Sequence, residues 1–247
     1  ACGAINSATL LLQSANEKHP NGLANSSGQV GRNLMIHNNG IVLAYSAIPN
    51  PSIFQKAILI PDFYHGAEDS DFPLGSIQNM GKADPLLLAD AVGDDLGKDG
   101  KDATHYAGHI IDYFITAEDL PLAENRVSVD AAGNIQLNYT QNNLEAYRRL
   151  REKLIHIMDQ VAENEGVGGS TQYYGFKLGI GGVSHQNGTC RFGENPETSV
   201  LDLNCKAHDL DNLYVVDTSF FPSSGAVNPS LTAMANALRV GEYLAKI

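Results

Sequence analysis

One stretch of apolar residues at helical spacing most limits what this chain can fold into. Its large apolar side chains recur every three or four residues at Leu144, Tyr147, Leu150, Leu154, Ile157, Met158 and Val161. This spacing predicts an amphipathic helix from Leu144 to Glu163, one face of which has to pack on an apolar surface. Gly166, Gly168 and Gly169 follow and predict the end of the helix.

The residues before this helix have the pattern of an antiparallel sheet. Runs of strand-forming residues at Ile41–Tyr45, Lys56–Ile60 and Ile110–Ile115 are separated by clusters of Gly, Pro and Asp. On either side of Ala131–Asn134 the apolar residues alternate with a period of two, which predicts a β-hairpin.

The two ends of the chain have a different pattern, typical of a nucleotide-binding α/β fold. Near the N-terminus, Asn6–Gln13 predicts a helix with Ser7 as its cap. Near the C-terminus, Leu213–Asp217 predicts a strand, and a second helix is predicted from Pro229 onward. We therefore predict a mixed α/β (α+β) fold in which the two ends form one part and the antiparallel centre forms another, interleaved with it.

Charge and composition exclude several classes of partner. The 28 acidic and 16 basic residues give a net charge of -12, which repels nucleic-acid phosphates and anionic lipids. No stretch approaches the roughly 20 apolar residues that span a bilayer. His105 and His109 are spaced as a metal pair on a helix would be, but no third ligand is indicated. We expect no nucleic-acid partner, no membrane span and no metal site, and we expect the three cysteines to be buried thiols.

Two segments in the C-terminal quarter contain residues suited to chemistry. His185 lies in a glycine-bracketed turn, and a histidine suits proton transfer because its unperturbed pKa lies near neutrality. A structural histidine is the alternative. Asp217 ends the predicted strand, where ligands of open α/β sheets bind. A turn-forming or capping aspartate is equally compatible with the local sequence.

A third segment predicts the start of the last helix. Asn228 fits the N-cap position and Pro229 the first helical position. The simplest meaning of this pattern is only that a helix begins there. Such a start also presents N–H groups and a partial positive charge, which an anion or an electron-rich ring can use.

Together the three segments, His185–Gly193, Val215–Pro222 and Asn228–Thr232, resemble the C-terminal signature of the glucose-methanol-choline (GMC) oxidoreductases. The N-terminal segments Gly3–Leu12 and Val30–His37 resemble two further motifs of that family. The sequence departs from the family pattern at Phe192, Ser184 and Ala8, which concerns the substrate and the subfamily more than the chemistry.

The resemblance implies an FAD-dependent enzyme that oxidises the CH–OH group of a small alcohol or sugar by hydride transfer to the flavin. It implies that His185 is the catalytic base and that Asn228 hydrogen-bonds the substrate oxygen. Contacts to the FAD are implied for Gly3, Asp217, Thr218, Pro229, Ser230, Leu231 and Thr232. By the same resemblance, residues 1–40 and 179–247 belong to an FAD-binding domain and residues 41–178 to a substrate-binding domain.

The Gly-x-Gly-x-x-Gly turn with which this family binds the FAD pyrophosphate is not found in the 247 residues. We therefore expect the chain to be the C-terminal portion of a longer polypeptide, with an N-terminal FAD-binding segment as its partner. Two alternatives stay open, namely a hydroxynitrile lyase of the same fold and a non-catalytic partner subunit. Asn228 argues against the lyase, in which this position is usually histidine.

Overall fold

The computed structural model of the chain describes residues 1–53, 56–93, 100–164 and 172–247, without the side chains of Leu87, Ala91 and Val92. The described α-helices are α1 (Ala4–Gln13), α2 (Pro85–Val92), α3 (Ala103–His109), α4 (Leu144–Asn164) and α5 (Ser230–Leu244), and Ile180–Gly182 and Thr218–Phe220 form single 3-10 turns. The described strands are β1 (Asn38–Tyr45), β2 (Leu59–Ile60), β3 (Ser76–Gly81), β4 (Ile110–Ala117), β5 (Arg126–Val129), β6 (Ile135–Asn138) and β7 (Gln172–Lys177).

The chain forms two compact units, and each is built from separate stretches of sequence. Unit 1 contains residues Ala1–His37, Asp119–Asn142 and Val183–Ile247, so both ends of the chain lie in it. Unit 2 contains residues Asn38–Glu118 and Asn143–Gly182. The mixed α/β class with an interleaved antiparallel sheet, predicted from the sequence, is confirmed.

Unit 2 contains an antiparallel sheet with the strand order β2-β3-β4-β1-β7. The predicted helix α4 is confirmed, and its buried residues Ala146, Leu150 and Leu154 pack on this sheet. On the sheet side the same core contains Val42 and Ile115. The apolar surface that the helix pattern required is therefore one face of the sheet. The predicted helix end at Gly166, Gly168 and Gly169 lies outside the described residues.

Two of the three predicted central strands are confirmed as β1 and β4, both of which extend beyond the predicted bounds. Their pairing runs from Asn38 opposite Ala117 to Tyr45 opposite Ile110. The prediction for Lys56–Ile60 was too long, because only β2 is extended there. Lys56 has a φ of 48°, a left-handed backbone that cannot continue a strand.

The predicted hairpin is confirmed as β5 and β6, which pair from Arg126 opposite Asn138 to Val129 opposite Ile135. It lies in unit 1, although the sequence had placed it inside the segment 41–178. The reason is its bonding within that unit, since Val127 N donates to Gly31 O at 2.8 Å. The assignment of residues 1–40 and 179–247 to an FAD-binding domain, and of residues 41–178 to a substrate-binding domain, stays a prediction.

Two local predictions in unit 1 were wrong. Leu213–Asp217 is not a strand: the backbone makes a single bridge, Tyr214 with Lys206, because it is bonded to the turn at 202–208 and not to an extended partner. Ser7 is not the cap of α1, which begins at Ala4, three residues earlier. Among the described residues, no helix combines the length and apolarity needed to cross a bilayer.

Candidate functional site

The loop that carries His185 is held on both sides by backbone hydrogen bonds within unit 1. On one side, Met35 and Asn187 exchange two bonds, of 3.0 and 2.9 Å, as an isolated antiparallel bridge. On the other side, Gly188 N donates to Thr218 O at 3.2 Å, and Cys190 N donates to Ser219 O at 2.8 Å. The structure thus brings together His185–Gly193, Val215–Pro222 and Val30–His37, three motifs that are far apart in sequence.

Gly188 is required for the close packing of this loop. Its φ is 86°, and a Cβ atom there would lie 2.4 Å from Met35 Cε and 2.5 Å from Asn33 O. We expect Gly188→Ala to lower the free energy of unfolding by about 1–3 kcal/mol, because the backbone strain of a positive φ adds to the steric overlap of the new Cβ atom. Urea denaturation measures the loss.

A matched control for this prediction exists in the hairpin. Gly133 has the same φ of 86°, but a Cβ atom there would have nothing within 4 Å. Gly133→Ala therefore adds backbone strain without steric overlap, and it should lower the free energy of unfolding clearly less than Gly188→Ala does. Equal losses in the two variants would show that the close approach at Gly188 does not matter.

His185 itself is half-buried and contacts a second histidine. Its Nδ1 atom lies 3.0 Å from Nδ1 of His37, and the two rings meet edge to face with centroids 5.0 Å apart. Nε2 of His37 lies 3.0 Å from the carbonyl oxygen of Ser224, four residues before Asn228. His37 therefore joins the loop of His185 to the segment that leads into Asn228.

His37 is buried, with an exposed fraction of 2%, and its backbone φ is 80°. Burial is the main cause that lowers its pKa to about 4; the His185 charge also lowers it, while the bond to the Ser224 carbonyl raises it. His37 is thus neutral over the physiological range. No role was predicted for His37 from the sequence, and its place at the end of the motif Val30–His37 is the signal that could have indicated one.

Asp119, also missed from the sequence, supports the residues around His37. Its Oδ2 atom accepts from the Ile36 N–H at 2.9 Å and from the Tyr139 hydroxyl at 2.8 Å. Its backbone oxygen accepts from the Ser224 hydroxyl at 3.2 Å. Burial and the charge of Asp119 raise the pKa of Tyr139, so the tyrosine stays a proton donor in this contact. Asp119 thereby fixes the backbone next to His37 and the serine that binds it.

Asp217 anchors the start of α1. Its carboxylate accepts hydrogen bonds from Cys2 N at 2.8 Å, Gly3 N at 3.1 Å, Ser219 N at 2.9 Å, and the hydroxyls of Ser7 and Ser219. Burial raises the pKa of Asp217, but the bonds from Ser219, Ser7 and Cys2 outweigh it and hold the pKa below its usual value. The capping role left open by the sequence is therefore observed, and cofactor contacts by Asp217 and Gly3 stay predictions.

Helix α5 begins within one residue of its predicted start. Pro229 already has helical dihedrals (φ −82°, ψ −15°), and its carbonyl accepts the first helical bond, from Ala233 N, at 3.0 Å. Pro229 and not Asn228 therefore occupies the N-cap position. Asn228, Ser230, Leu231 and Thr232 are exposed, so the first turn of the helix is accessible. The role of Asn228 opposite His185 stays a prediction.

Thr218, the remaining predicted cofactor contact, is half-buried, and its hydroxyl donates to Gln186 O at 2.8 Å. The cysteines are unpaired; Cys190 and Cys205 are buried as predicted, but Cys2 is exposed at the chain start. Burial, followed by the Asp217 charge, raises the pKa of Cys190, so this thiol stays protonated. Among the described residues, no three His, Cys, Asp or Glu side chains are grouped so that they could hold a metal ion.

Comparison with known proteins identifies the family of the matching region. Residues 121–237 match the family model described as GMC oxidoreductase. The chain is 30% identical to 2-methyl-1,2-propanediol dehydrogenase of Mycolicibacterium austroafricanum, over 98% of this chain and 46% of that protein. It is 31% identical to paromamine 6'-oxidase of Streptomyces fradiae, over 99% of this chain and 44% of that protein. The chain spans about half the length of the curated relatives that it matches.

A solved structure shows the same fold. The chain superposes on formate oxidase of Aspergillus oryzae with a TM-score of 0.61 and 14% sequence identity, covering 97% of this chain and 52% of that one. That structure was determined to study FAD modification.

Proposed function

Because the chain belongs to the GMC oxidoreductase family, we propose that it forms part of an FAD-dependent enzyme that oxidises the CH–OH group of an alcohol or sugar. The observation that carries the proposal is the position of His185, which is held through Nδ1 by a buried, neutral histidine. The name of the propanediol dehydrogenase supports a small polyol as the donor.

His185 accepts the hydroxyl proton of the substrate at Nε2, because its Nδ1 contacts His37. Asn228 hydrogen-bonds the substrate oxygen, which orients the CH–OH group and stabilises the negative charge that develops on the oxygen. When bound, FAD supplies the acceptor of the hydride that leaves the same carbon. One C–H bond and one O–H bond break, and a carbonyl forms.

The residues of α5 fit the role of holding a flavin ring. The first turn of a helix carries N–H groups without helical partners, together with a partial positive charge. In this chain that turn is exposed, and Pro229 provides no side-chain cap for it. Pro229, Ser230, Leu231 and Thr232 would hold the flavin, and the helix dipole would stabilise negative charge on its reduced ring. Gly3, Asp217 and Thr218 would lie near the ribityl and pyrophosphate groups.

We propose further that most of the nucleotide site is formed by residues outside these 247. The apolar side chains of Leu231, Met234 and Leu238 lie on one face of α5 with exposed fractions of 75%, 58% and 72%. Three neighbouring apolar residues with such exposure are typical of a surface that another segment covers. The length of the relatives leaves room for that segment.

We expect the purified 247-residue chain to retain much less than one FAD per molecule after gel filtration. The measurement is flavin absorbance relative to protein concentration, with riboflavin as a control for nonspecific stacking. Stoichiometric retention of FAD would contradict the division of the cofactor site between this chain and other residues.

The proposed reaction is tested by anaerobic mixing of the full-length FAD-containing enzyme, in which this chain is joined to the residues proposed to complete the nucleotide site, with a series of small diols and sugars. An oxidoreductase bleaches its flavin and forms one carbonyl product for each flavin reduced. A hydroxynitrile lyase would release cyanide from hydroxynitriles without bleaching, and a non-catalytic subunit would do neither. Either of these results would overturn the proposal.

A further inference from the structure

The bridge between Met35 and Asn187 lies two residues from His37 on one segment and two residues from His185 on the other. In an antiparallel pairing, a step of two residues along one chain corresponds to a step of two residues back along the other. From Met35 and Asn187 this step leads to His37 and His185. The bridge thus brings the backbones of the two histidines close together, and their imidazoles are in contact at 3.0 Å.

The backbone of His37 is held in a conformation that non-glycine residues seldom adopt. Its φ of 80° lies in the left-handed region, which histidine tolerates better than most residues but glycine tolerates best. A glycine here would relieve this strain and lose the imidazole. A buried residue in such a conformation, next to a candidate catalytic side chain, points to a role for its side chain.

The contacts of His37 determine where its proton lies. A backbone carbonyl only accepts, so the 3.0 Å contact with Ser224 O requires a proton on Nε2 of His37. Since burial keeps His37 neutral, its Nδ1 carries a lone pair and accepts. The 3.0 Å contact between the two Nδ1 atoms then requires the proton on Nδ1 of His185. In that tautomer the lone pair of His185 is on Nε2.

We propose that His37 is a positioning residue that holds His185 in the Nδ1-protonated tautomer, so that Nε2 is the atom that accepts the substrate proton. The role of the tautomer in catalysis rests on the proposed function, whereas the tautomer itself does not. When the hydroxyl proton moves to Nε2, His185 becomes an imidazolium that still donates its Nδ1 proton to His37. His37 itself neither gains nor loses a proton in this step.

The same contacts restrict the orientation of His185. Ser224, which holds Nε2 of His37, is itself buried and bonded to the backbone of Asp119. Asp119 also holds the N–H of Ile36, the residue before His37. His37 is thus fixed at its backbone and at both ring nitrogens. An imidazole fixed in this way can restrict the rotation of a half-buried partner ring.

Nitrogen-15 NMR of histidine-labelled protein tests the tautomer directly, with the His185 signals identified by their loss in His185→Ala. We expect His185 to be protonated on Nδ1 and His37 on Nε2. In His37→Ala the population of the Nε2-protonated form of His185 should rise, because the Nδ1 proton of His185 has lost its acceptor. In His37→Asn the Nδ1-protonated form should persist, since Asn offers an oxygen close to the lost Nδ1 and tolerates a positive φ.

The kinetics of flavin reduction in the full-length FAD-containing enzyme test whether this tautomer matters for catalysis. We expect His37→Ala to reduce the rate constant by about 10- to 100-fold with a much smaller change in the substrate KM, the scale at which misorientation acts. His37→Asn should recover most of that rate. His109→Asn is the control, because Nδ1 of His109 also donates to a carbonyl, that of Ser46, at 3.0 Å.

Two failures can be told apart. A wild-type His185 that is protonated on Nε2 would overturn this inference even if His185 proved essential, as would unchanged kinetics and tautomer in His37→Ala. Unchanged flavin reduction in His185→Ala would instead overturn the proposed function. The wild-type spectrum decides the tautomer even if His37→Ala does not fold.

Discussion

Replacing His185 by Ala is expected to slow the reduction of bound flavin by substrate by about 10²–10⁴-fold, the usual contribution of a positioned general base. Flavin content should stay at the wild-type level, because the contacts proposed for FAD lie on α5 and near Asp217. Anaerobic stopped-flow measurement of flavin bleaching gives the rate, and absorbance of the purified enzyme gives the flavin content.

The matched control for His185→Ala is His208→Ala. His208 is also a half-buried histidine of unit 1, with Nε2 3.1 Å from Gly193 O and 3.0 Å from the Ser199 hydroxyl. Its removal should leave the rate of flavin reduction near that of the wild type. If both variants lose activity together with flavin, the effect of His185→Ala is on folding and the assignment of the base fails.

The fold was predictable where one local period ran through a whole element. The seven apolar residues of α4 and the alternation on either side of Ala131–Asn134 each specify one face of one element. Tertiary contacts later changed the ends of the elements only slightly. Where the pattern was short, as at Leu213–Asp217, the prediction failed, because a strand also needs an extended partner and the sequence does not show one.

The candidate site was predictable only in part, for a related reason. His185 lies in a motif that can be seen locally, but the contact that fixes its tautomer comes from His37, 148 residues away. The carboxylate of Asp119 is 83 residues from Ile36, whose N–H it binds. Such pairs depend on which loops meet in the fold, and one sequence contains no record of that. The role of Asp217 was also not predictable from the sequence, since an aspartate at this position suits both helix capping and cofactor binding.

The second large effect is expected from Asp217→Asn, which should lower the free energy of unfolding by about 2–4 kcal/mol at neutral pH. Both carboxylate oxygens accept bonds in the structure, from the start of α1 on one side and from Ser219 on the other. The Asn side chain has one oxygen and one NH₂ group where the Asp side chain has two oxygens. The NH₂ group faces one of the two sets of donors, and those donors lose their acceptor. Urea denaturation at neutral pH measures the difference.

The same variant should show a defined pH dependence. Hydrogen bonds hold the folded pKa of Asp217 below its usual value despite burial, so its ionised form is favoured by folding. This contribution is present above the unfolded pKa of about 3.9 and is lost as the pH falls through the folded pKa. The difference in the free energy of unfolding between the wild type and Asp217→Asn should therefore be constant near neutrality and should decrease below about pH 4.

Asp209→Asn provides the control for the network at Asp217. Asp209 also accepts from the N–H and the hydroxyl of one serine, Ser26, at 2.9 and 2.6 Å, but these bonds are exposed to solvent. Water can replace them, so this variant should cost less than about 1 kcal/mol. A loss at Asp217→Asn as small as that at Asp209→Asn would show that the start of α1 does not depend on the carboxylate. The same small loss would leave Asp217 available for the cofactor contact that the family resemblance implies.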